Sequence, residues 1–413
     1  MKKFDVLIIG GGASGVFLSL LLKDHGLNVA ILERKDRILK KLLATGNGRC
    51  NISNINVMDE IKEKYTSHNK DYDFAPLYNY NLKETLDYFK SLGLHTTVLE
   101  DGKMYPLSLQ ASSVVDLLRM SMEEKDIPVF LNSKVIDIKN KDNMFYVSNN
   151  EEEFISDKLV ISTGGSAMPS SGSDGSFYTI LKSLGFDVIN PSPSLVQLKL
   201  ESTNLRALSG VKFEGEATLK SNGKEIKRHR GEILFTNYGV SGPPILQLSR
   251  FINNDLLSTN LELELDLFPE NSDSEIKDFL LNHIGVFNYR ESQDVLKGIL
   301  NSRLIPVLLK ESGIYKASTI AYDVPFENFN TLTEKLKHWN FKITGTQNFS
   351  MAQGTLGGID LNNLTKNLES KSISNLYFTG EVVDVLGASG GYNLQWAWSS
   401  AGTVMKDIIN KTT

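Results

Sequence analysis

Cysteine is almost missing from this chain: Cys50 is the only one among 413 residues. No intramolecular disulfide can form, and a metal site built on cysteine alone is excluded. The six histidines are scattered without the spacings that ligate zinc, so no metal is expected. Long apolar runs are missing too, and no stretch approaches the roughly 20 apolar residues of a membrane helix. The opening MKKFDVLIIGGG starts like a signal peptide, but its apolar run is short and passes straight into glycines. A cytoplasmic protein with no membrane partner is expected. The net charge of −5 gives no global case for nucleic acid. Internal repeats and long low-complexity tracts are absent. What remains is ordinary for a globular chain, 41% hydrophobic and 23% charged, and long enough for more than one domain.

What is present begins at the N-terminus. Residues 5–9 read as a buried strand, and Gly10, Gly12 and Gly15 follow in the spacing G-x-G-x-x-G. Residues 16–23 read as an apolar helix, and residues 28–32 as a second strand ending on Glu33. Strand, glycine turn, helix, strand and acid together form a dinucleotide-binding unit. Gly10 permits the tight turn, Gly12 lets a pyrophosphate approach the backbone, and Gly15 lets the helix pack on the strand. The helix start, at Ala13 and Ser14, presents N–H groups to phosphate. Glu33, 18 residues after Gly15, suits the ribose hydroxyls of an adenosine. It would repel a 2′-phosphate, although Arg34 beside it works the other way.

Past the acid, residues 34–54 begin basic and end in a glycine-rich loop. Lys40, Lys41 and Arg49 could offset phosphate charge, and Gly46 and Gly48 allow close backbone approach. Cys50 lies in this loop, either as a small packing residue or as a functional thiol. Helices are expected at residues 79–92 and 112–124, and strands at 129–138 and 144–147, with Val135 placed to lie beside an adenine. The strand ending at Thr163, Gly164 and Gly165 runs into a small, polar loop through residue 175. This is either a ligand crevice or an ordinary strand exit. Residues 191–193, Pro-Ser-Pro, read as a linker. Beyond them come strand-like segments to about residue 268, helices over 274–311, and strands with one helix over 322–343. The basic run KEIKRHR at 224–230 reads as a hairpin or loop, either a solvated face or an RNA contact. Residues 375–379 form a strand leading into Gly380, Glu381, a glycine-rich loop and a helix over 394–409. That second ligand-type loop lies roughly 350 residues from the first. One cofactor domain interrupted by an insert joins them most simply.

Seven motifs carry a resemblance that covers most of the chain: GGGASG at 10–15, TGNGRCNISN at 45–54, GKMYPLSLQASSVVDLL at 102–118, STGGSAMPSSGSDG at 162–175, GEILFTNYGVSGPPILQLS at 231–249, AQGTLGGIDL at 352–361 and LYFTGEVVDVLGASGGYNLQWAWSSAG at 376–402. Together they resemble the YhiN/BaiN-like, aminoacetone-oxidase-type family of FAD-binding oxidoreductases. Met104-Tyr105 and Ala388-Ser389 depart slightly from the family's usual pairs. The resemblance implies an α/β fold in three pieces. A Rossmann-like FAD domain, split in sequence, would comprise residues 1–190 and 346–413. A β-barrel-like subdomain would take 191–268 and 321–345, and a small helical subdomain 269–320.

The resemblance also implies roles. Gly10, Gly12, Ala13, Ser14 and Gly15 would hold the FAD pyrophosphate, and Glu33 its adenosine ribose. Glu381, after Gly380, would bond the ribityl chain. Gly391, Tyr392, Asn393 and Leu394 would lie at the isoalloxazine, with the following helix aimed at the pyrimidine edge of the ring. The chain has no second strand–GxGxxG–helix unit, so NAD(P)H would be a transient electron donor. The activity expected is NAD(P)H-driven reduction of an activated C=C bond, with uridine in ribosomal RNA as a candidate substrate. Oxidation of a small amine such as aminoacetone, and a non-catalytic flavin- or RNA-binding module, are the alternatives. The partner would be a small-molecule substrate or ribosomal RNA. For the proton that accompanies a hydride, Cys50 is the first expectation and Tyr392 the second.

Overall fold

The first strand sets the fold. Lys2–Ile9 ends in four residues, Val6 to Ile9, that are all buried, as a strand covered on both faces requires. In the computed structural model, which describes residues 2–412, it is central to a seven-stranded sheet. Val29–Leu32 pairs parallel on one side, with Val129–Phe130 beyond it. Glu153–Ile161 pairs parallel on the other side. The C-terminal half of that strand is joined by Leu376–Phe378, again parallel. Its N-terminal half is joined by the antiparallel hairpin Asp137–Lys141 and Met144–Ser148. The helices Ala13–Asp24 and Tyr392–Asn410 meet through Phe17 and Trp398, whose ring centroids are 5.1 Å apart. Each fully buried large side chain here contributes roughly 1.5–3 kcal/mol.

The chain divides into two compact units, Met1–Pro193 with Ala352–Thr413, and Ser194–Met351. The second unit contains a closed barrel in the order Leu198–Glu201, Gly239–Ser241, Lys224–Thr236, Lys212–Ser221, Leu261–Asp266 and Trp339–Thr346. Its interior residues Leu219, Phe235 and Trp339 belong to one hydrophobic cluster with Leu280, Leu308 and Leu332 of the helical segments. The helices expected as a separate piece therefore share a core with the barrel. Among the described residues, no helix is long and apolar enough to cross a membrane.

One local expectation differs from the structure, and two are refined by it. Residues 129–138 do not form one strand: Asn132, at φ 53°, breaks it, and residues 133–136 leave the sheet. Pro191 and Pro193 lie within a strand, Val188–Ser194, and the boundary between the two compact units falls at Pro193, where the linker is expected. That strand belongs to a two-stranded ribbon with Gly354–Ile359, where a missing N–H is tolerated on the outer edge. The basic run 224–230 is half of a long strand and, with the strand before it, forms the hairpin expected as one alternative, turned at Asn222-Gly223. Arg230 sits directly across from Glu216 and bonds it at 2.8 Å. Arg228 bonds Glu225 and approaches Glu216 at 3.5 Å. Cross-strand charge pairing explains why so charged a segment stays extended.

Candidate functional site

A cavity of about 540 Å³ opens in the first unit, at the C-terminal ends of the parallel strands. The glycine turn forms one wall. Gly10, at φ 109°, packs so closely that a Cβ would lie 2.4 Å from the Ser162 carbonyl oxygen. A Cβ on Gly15 would lie 2.1 Å from the Gly10 carbonyl oxygen, so helix and turn touch. Gly12 is different: a Cβ there would meet nothing within 4 Å, and the residue faces the cavity. Gly12 is also the N-cap of the helix Ala13–Asp24 and offers no capping side chain. The first N–H groups of that helix are left for a ligand.

Glu33 stiffens this turn. Its Oε2 accepts from Gly11 N–H and its Oε1 from Lys35 N–H, both at 2.8 Å. Glu33 lines the cavity, and each oxygen, accepting one N–H, retains capacity for another donor. Arg34 is engaged elsewhere. It bonds the Asp174 carboxylate at 2.6 Å and Ser176 Oγ at 2.8 Å, so it is committed to the loop after Gly165 rather than held out for a 2′-phosphate. Partial burial would raise the Asp174 carboxyl, but the bonds it accepts from Arg34 and from Ser176 hold it down at about 2. Val135 lies in the same wall, in the segment 133–136 that leaves the sheet.

The opposite wall comes from the end of the chain. Trp396 Nε1–H donates to the Gly380 carbonyl at 3.0 Å, and Ser400 Oγ accepts from Gly380 N–H at 2.9 Å. The C-terminal helix thereby fixes the turn that carries Glu381. Glu381 Oε2 pairs with Lys41 Nζ at 2.6 Å. Asn393 clasps Gly387, accepting its N–H at 2.8 Å and donating to its carbonyl at 2.9 Å. Asn393 and Leu394, in the first turn of an uncapped helix, line the cavity.

Among the cavity-lining side chains, Arg34 Nε, Thr163 Oγ1, Ser173 Oγ, Tyr178 Oη and Glu381 Oε1 are buried without a hydrogen-bond partner. Buried polar atoms are normally satisfied. Five such atoms around one cavity, with two uncapped helix starts and an open Gly12, fit a large polar ligand. FAD has the phosphates and hydroxyls to satisfy them. Among these, Ser173 and Tyr178 escaped the sequence reading by residue. The small polar loop gave a weak signal for Ser173, and nothing local marks Tyr178.

The loop 45–54 corrects several expectations. Thr45 lines the cavity; Gly46, Gly48, Arg49 and Cys50 do not. Gly46 is filled from behind, a Cβ there lying 2.8 Å from Asn51 N. Arg49 stacks its guanidinium 4.9 Å from the Tyr105 ring centre. Cys50 has 0% exposure within the core, one layer behind Thr45. Burial pushes its thiol up to about 12 despite a hydrogen bond with Thr45. A thiol so placed does not reach a substrate, and Cys50 is a packing residue rather than a proton donor. Tyr392 is also buried and outside the cavity wall. Its carbonyl accepts from Tyr65 Oη at 3.0 Å. A Cβ on Gly391, its neighbour, would lie 2.3 Å from the Ser53 carbonyl oxygen, which marks a contact within the protein. Gly391 and Tyr392 thus shape the helix start from behind.

Comparison with known proteins agrees with this geometry. The family described as HI0933-like protein Rossmann domain matches residues 4–406. The 3-dehydro-bile acid delta(4,6)-reductase of Clostridium scindens is 35% identical, covering 95% of this chain and 96% of its own. The ribosomal RNA dihydrouridine synthase of Escherichia coli is 30% identical, covering 99% of both chains. Among solved structures, a flavocytochrome c3 fumarate reductase in its open conformation superposes with a TM-score of 0.50 at 14% identity, over 99% of this chain and 78% of that one; this likeness concerns the fold.

Proposed function

Because the chain belongs to the HI0933-like family of FAD-dependent oxidoreductases, we propose that it reduces a carbon–carbon double bond activated by a carbonyl, with NAD(P)H as a transient electron donor. The observation that carries this reading is the agreement of the two full-length relatives: one is named for reducing bile-acid double bonds, the other for making dihydrouridine. Both names describe hydrogen added across a conjugated C=C bond. A small cyclic enone is the favoured substrate class. Uridine in ribosomal RNA is the second reading, resting on the 30% relative. The matched carboxylates around Arg228 and Arg230 add no support for RNA.

Bound FAD supplies the hydride chemistry. The chain's own contribution is binding and orientation. The helix start at Gly12 would receive the pyrophosphate, Glu33 the adenosine ribose and Glu381 Oε1 a ribityl hydroxyl. The first turn of Tyr392–Asn410 presents a partial positive charge to the cavity, which favours anionic character on a ring beside it. One dinucleotide unit serves one resident dinucleotide, so NAD(P)H would bind, leave and make room for substrate.

The test is to reduce the holoenzyme anaerobically, with NADH and with NADPH, and follow reoxidation. Fast reoxidation by cyclohex-2-enone or a 3-oxo-4-ene steroid, and slow reoxidation by oxygen, is expected. Rapid reoxidation by oxygen with indifference to alkenes would instead identify an amine-oxidase-type enzyme.

A further inference from the structure

We propose that residues 165–176 form a flap over the cofactor cavity and that the Arg34–Asp174 pair is its latch, which governs how fast FAD enters and leaves. This holds whatever the substrate of the reduction. Strand order places the flap. Glu153–Ile161 and Val29–Leu32 flank Lys2–Ile9, the strand that ends in the glycine turn. The flap leaves the first of these strands, and its far side meets Arg34 and Lys35, just past the second. It thus reaches from one side of the glycine turn to the other, and Ser171 to Ser176 line the cavity.

The near side is built as a hinge. Gly175 N–H donates to the Gly165 carbonyl at 3.0 Å and closes the segment into a loop. Thr355 Oγ1 accepts from Ser166 N–H at 2.8 Å and from Ala167 N–H at 3.1 Å. Gly164, at φ 72°, and Gly175, at φ 74°, give this side its backbone freedom. The outer turn holds itself, with Ser171 N–H and Gly172 N–H donating to the carbonyls of Met168 and Pro169. The far side is held by the Arg34 guanidinium, which bonds Asp174 at 2.6 Å and Ser176 Oγ at 2.8 Å. The two charged side chains are 23% and 34% exposed, so water screens them less than a pair on the open surface. Gly172 lies flush beside them: a Cβ there would sit 3.2 Å from Lys35 Cγ. Arg34 follows Glu33, the acid set for the adenosine ribose, and its Nε is buried in the cavity wall without a partner. The residue that ties the flap therefore stands at the cofactor as well. A ligand under a closed flap leaves only when the flap opens. Weakening the latch speeds entry and exit together, whereas losing a plain binding contact speeds exit alone.

The experiment uses the FAD holoenzyme. Exchange of bound FAD against excess radiolabelled FAD gives the exit rate, and free flavin in ultrafiltrates on serial dilution gives the dissociation constant. Asp174→Asn, which keeps shape and removes the charge, is expected to exchange FAD about 10-fold faster, while the dissociation constant changes far less. Ser176→Ala should act in the same direction and more weakly, and it carries the test if Asp174→Asn does not fold. Amide hydrogen exchange of residues 166–176 should quicken in both variants while that of residues 10–15 stays as in the wild type. A wild-type exchange rate in the variants, or a dissociation constant that rises in step with the exit rate, overturns the latch. None of these measurements involves turnover, so an enzyme indifferent to alkenes would sink the reductase reading and leave the latch standing.

Discussion

Lys41 and Glu381, 340 residues apart in sequence, meet at 2.6 Å in the cavity wall. The pair joins the basic segment after the first acid to the Gly-Glu turn near the end of the chain. It leaves Glu381 Oε1 without a partner. Glu381→Ala should therefore weaken FAD binding with little change in fold. A hydrogen bond to a charged group is worth about 1.5–3 kcal/mol, so the dissociation constant should rise roughly 10- to 100-fold. Flavin fluorescence titration of the apoprotein measures this, and an unchanged constant removes Glu381 from the cofactor site.

Two glycines three residues apart should fail in different ways. Gly12→Val places its side chain in the open cavity, so the protein should fold with a near-normal melting temperature but purify colourless. Gly15→Ala forces a Cβ against the Gly10 backbone and should destabilise the fold by roughly 1–3 kcal/mol. Melting curves alongside flavin absorbance separate the two. Full flavin in Gly12→Val would refute the assignment of the turn.

Cys50 supplies a pH prediction. Its thiol is raised from 9.0 to about 12 in the folded state. Above pH 9 the unfolded chain loses this proton while the folded chain retains it. The resulting stabilisation is fully present below pH 9 and is lost as pH rises toward 12. Iodoacetamide at pH 8.5 should leave native protein unlabelled and label it once in urea. Cys50→Ala should keep FAD and full turnover with an enone; a large loss of turnover would return Cys50 to the reaction.

The basic strand yields the fourth expectation. Lys227→Ala, Arg228→Ala and Arg230→Ala together remove three positive charges; Glu216, Glu225 and Glu270 match the two arginines. Turnover with a small enone should be unaffected. Phosphate contacts make binding steeply salt-dependent. A wild-type salt slope on ribosomal RNA fragments that flattens in the triple variant would favour the RNA substrate.

The legible parts of the site are those whose signal is local. Gly10, Gly12, Gly15 and Glu33 lie in one strand–helix–strand unit, and their spacing carries the geometry. Glu381 was legible because a strand, a Gly-Glu step and a glycine loop stand in sequence. Cys50 was not, because whether a loop residue faces a cavity or the layer behind it depends on a partner such as Thr45 and on the core packed over both. The commitment of Arg34 to Asp174 links residues 140 apart, and no local pattern announces it. The charge matching of the hairpin at 224–230 was hidden for the same reason, since Glu216 lies on the neighbouring strand.

The split of the cofactor unit has a consequence for synthesis. Strand Leu376–Phe378 completes the sheet beside Glu153–Ile161, and the last helix supplies Asn393, Leu394 and Trp396 to the cavity. A nascent chain at residue 350 already holds the glycine turn and Glu33, yet lacks Glu381 and one entire wall. At roughly 5–20 residues per second, the ribosome spends seconds between the two halves of the site. During that interval the exposed edge of Glu153–Ile161 awaits its partner. Vitamin supply and chaperone capacity should therefore act at the close of translation, and a ribosome stalled before residue 376 should hold a chain that cannot retain flavin.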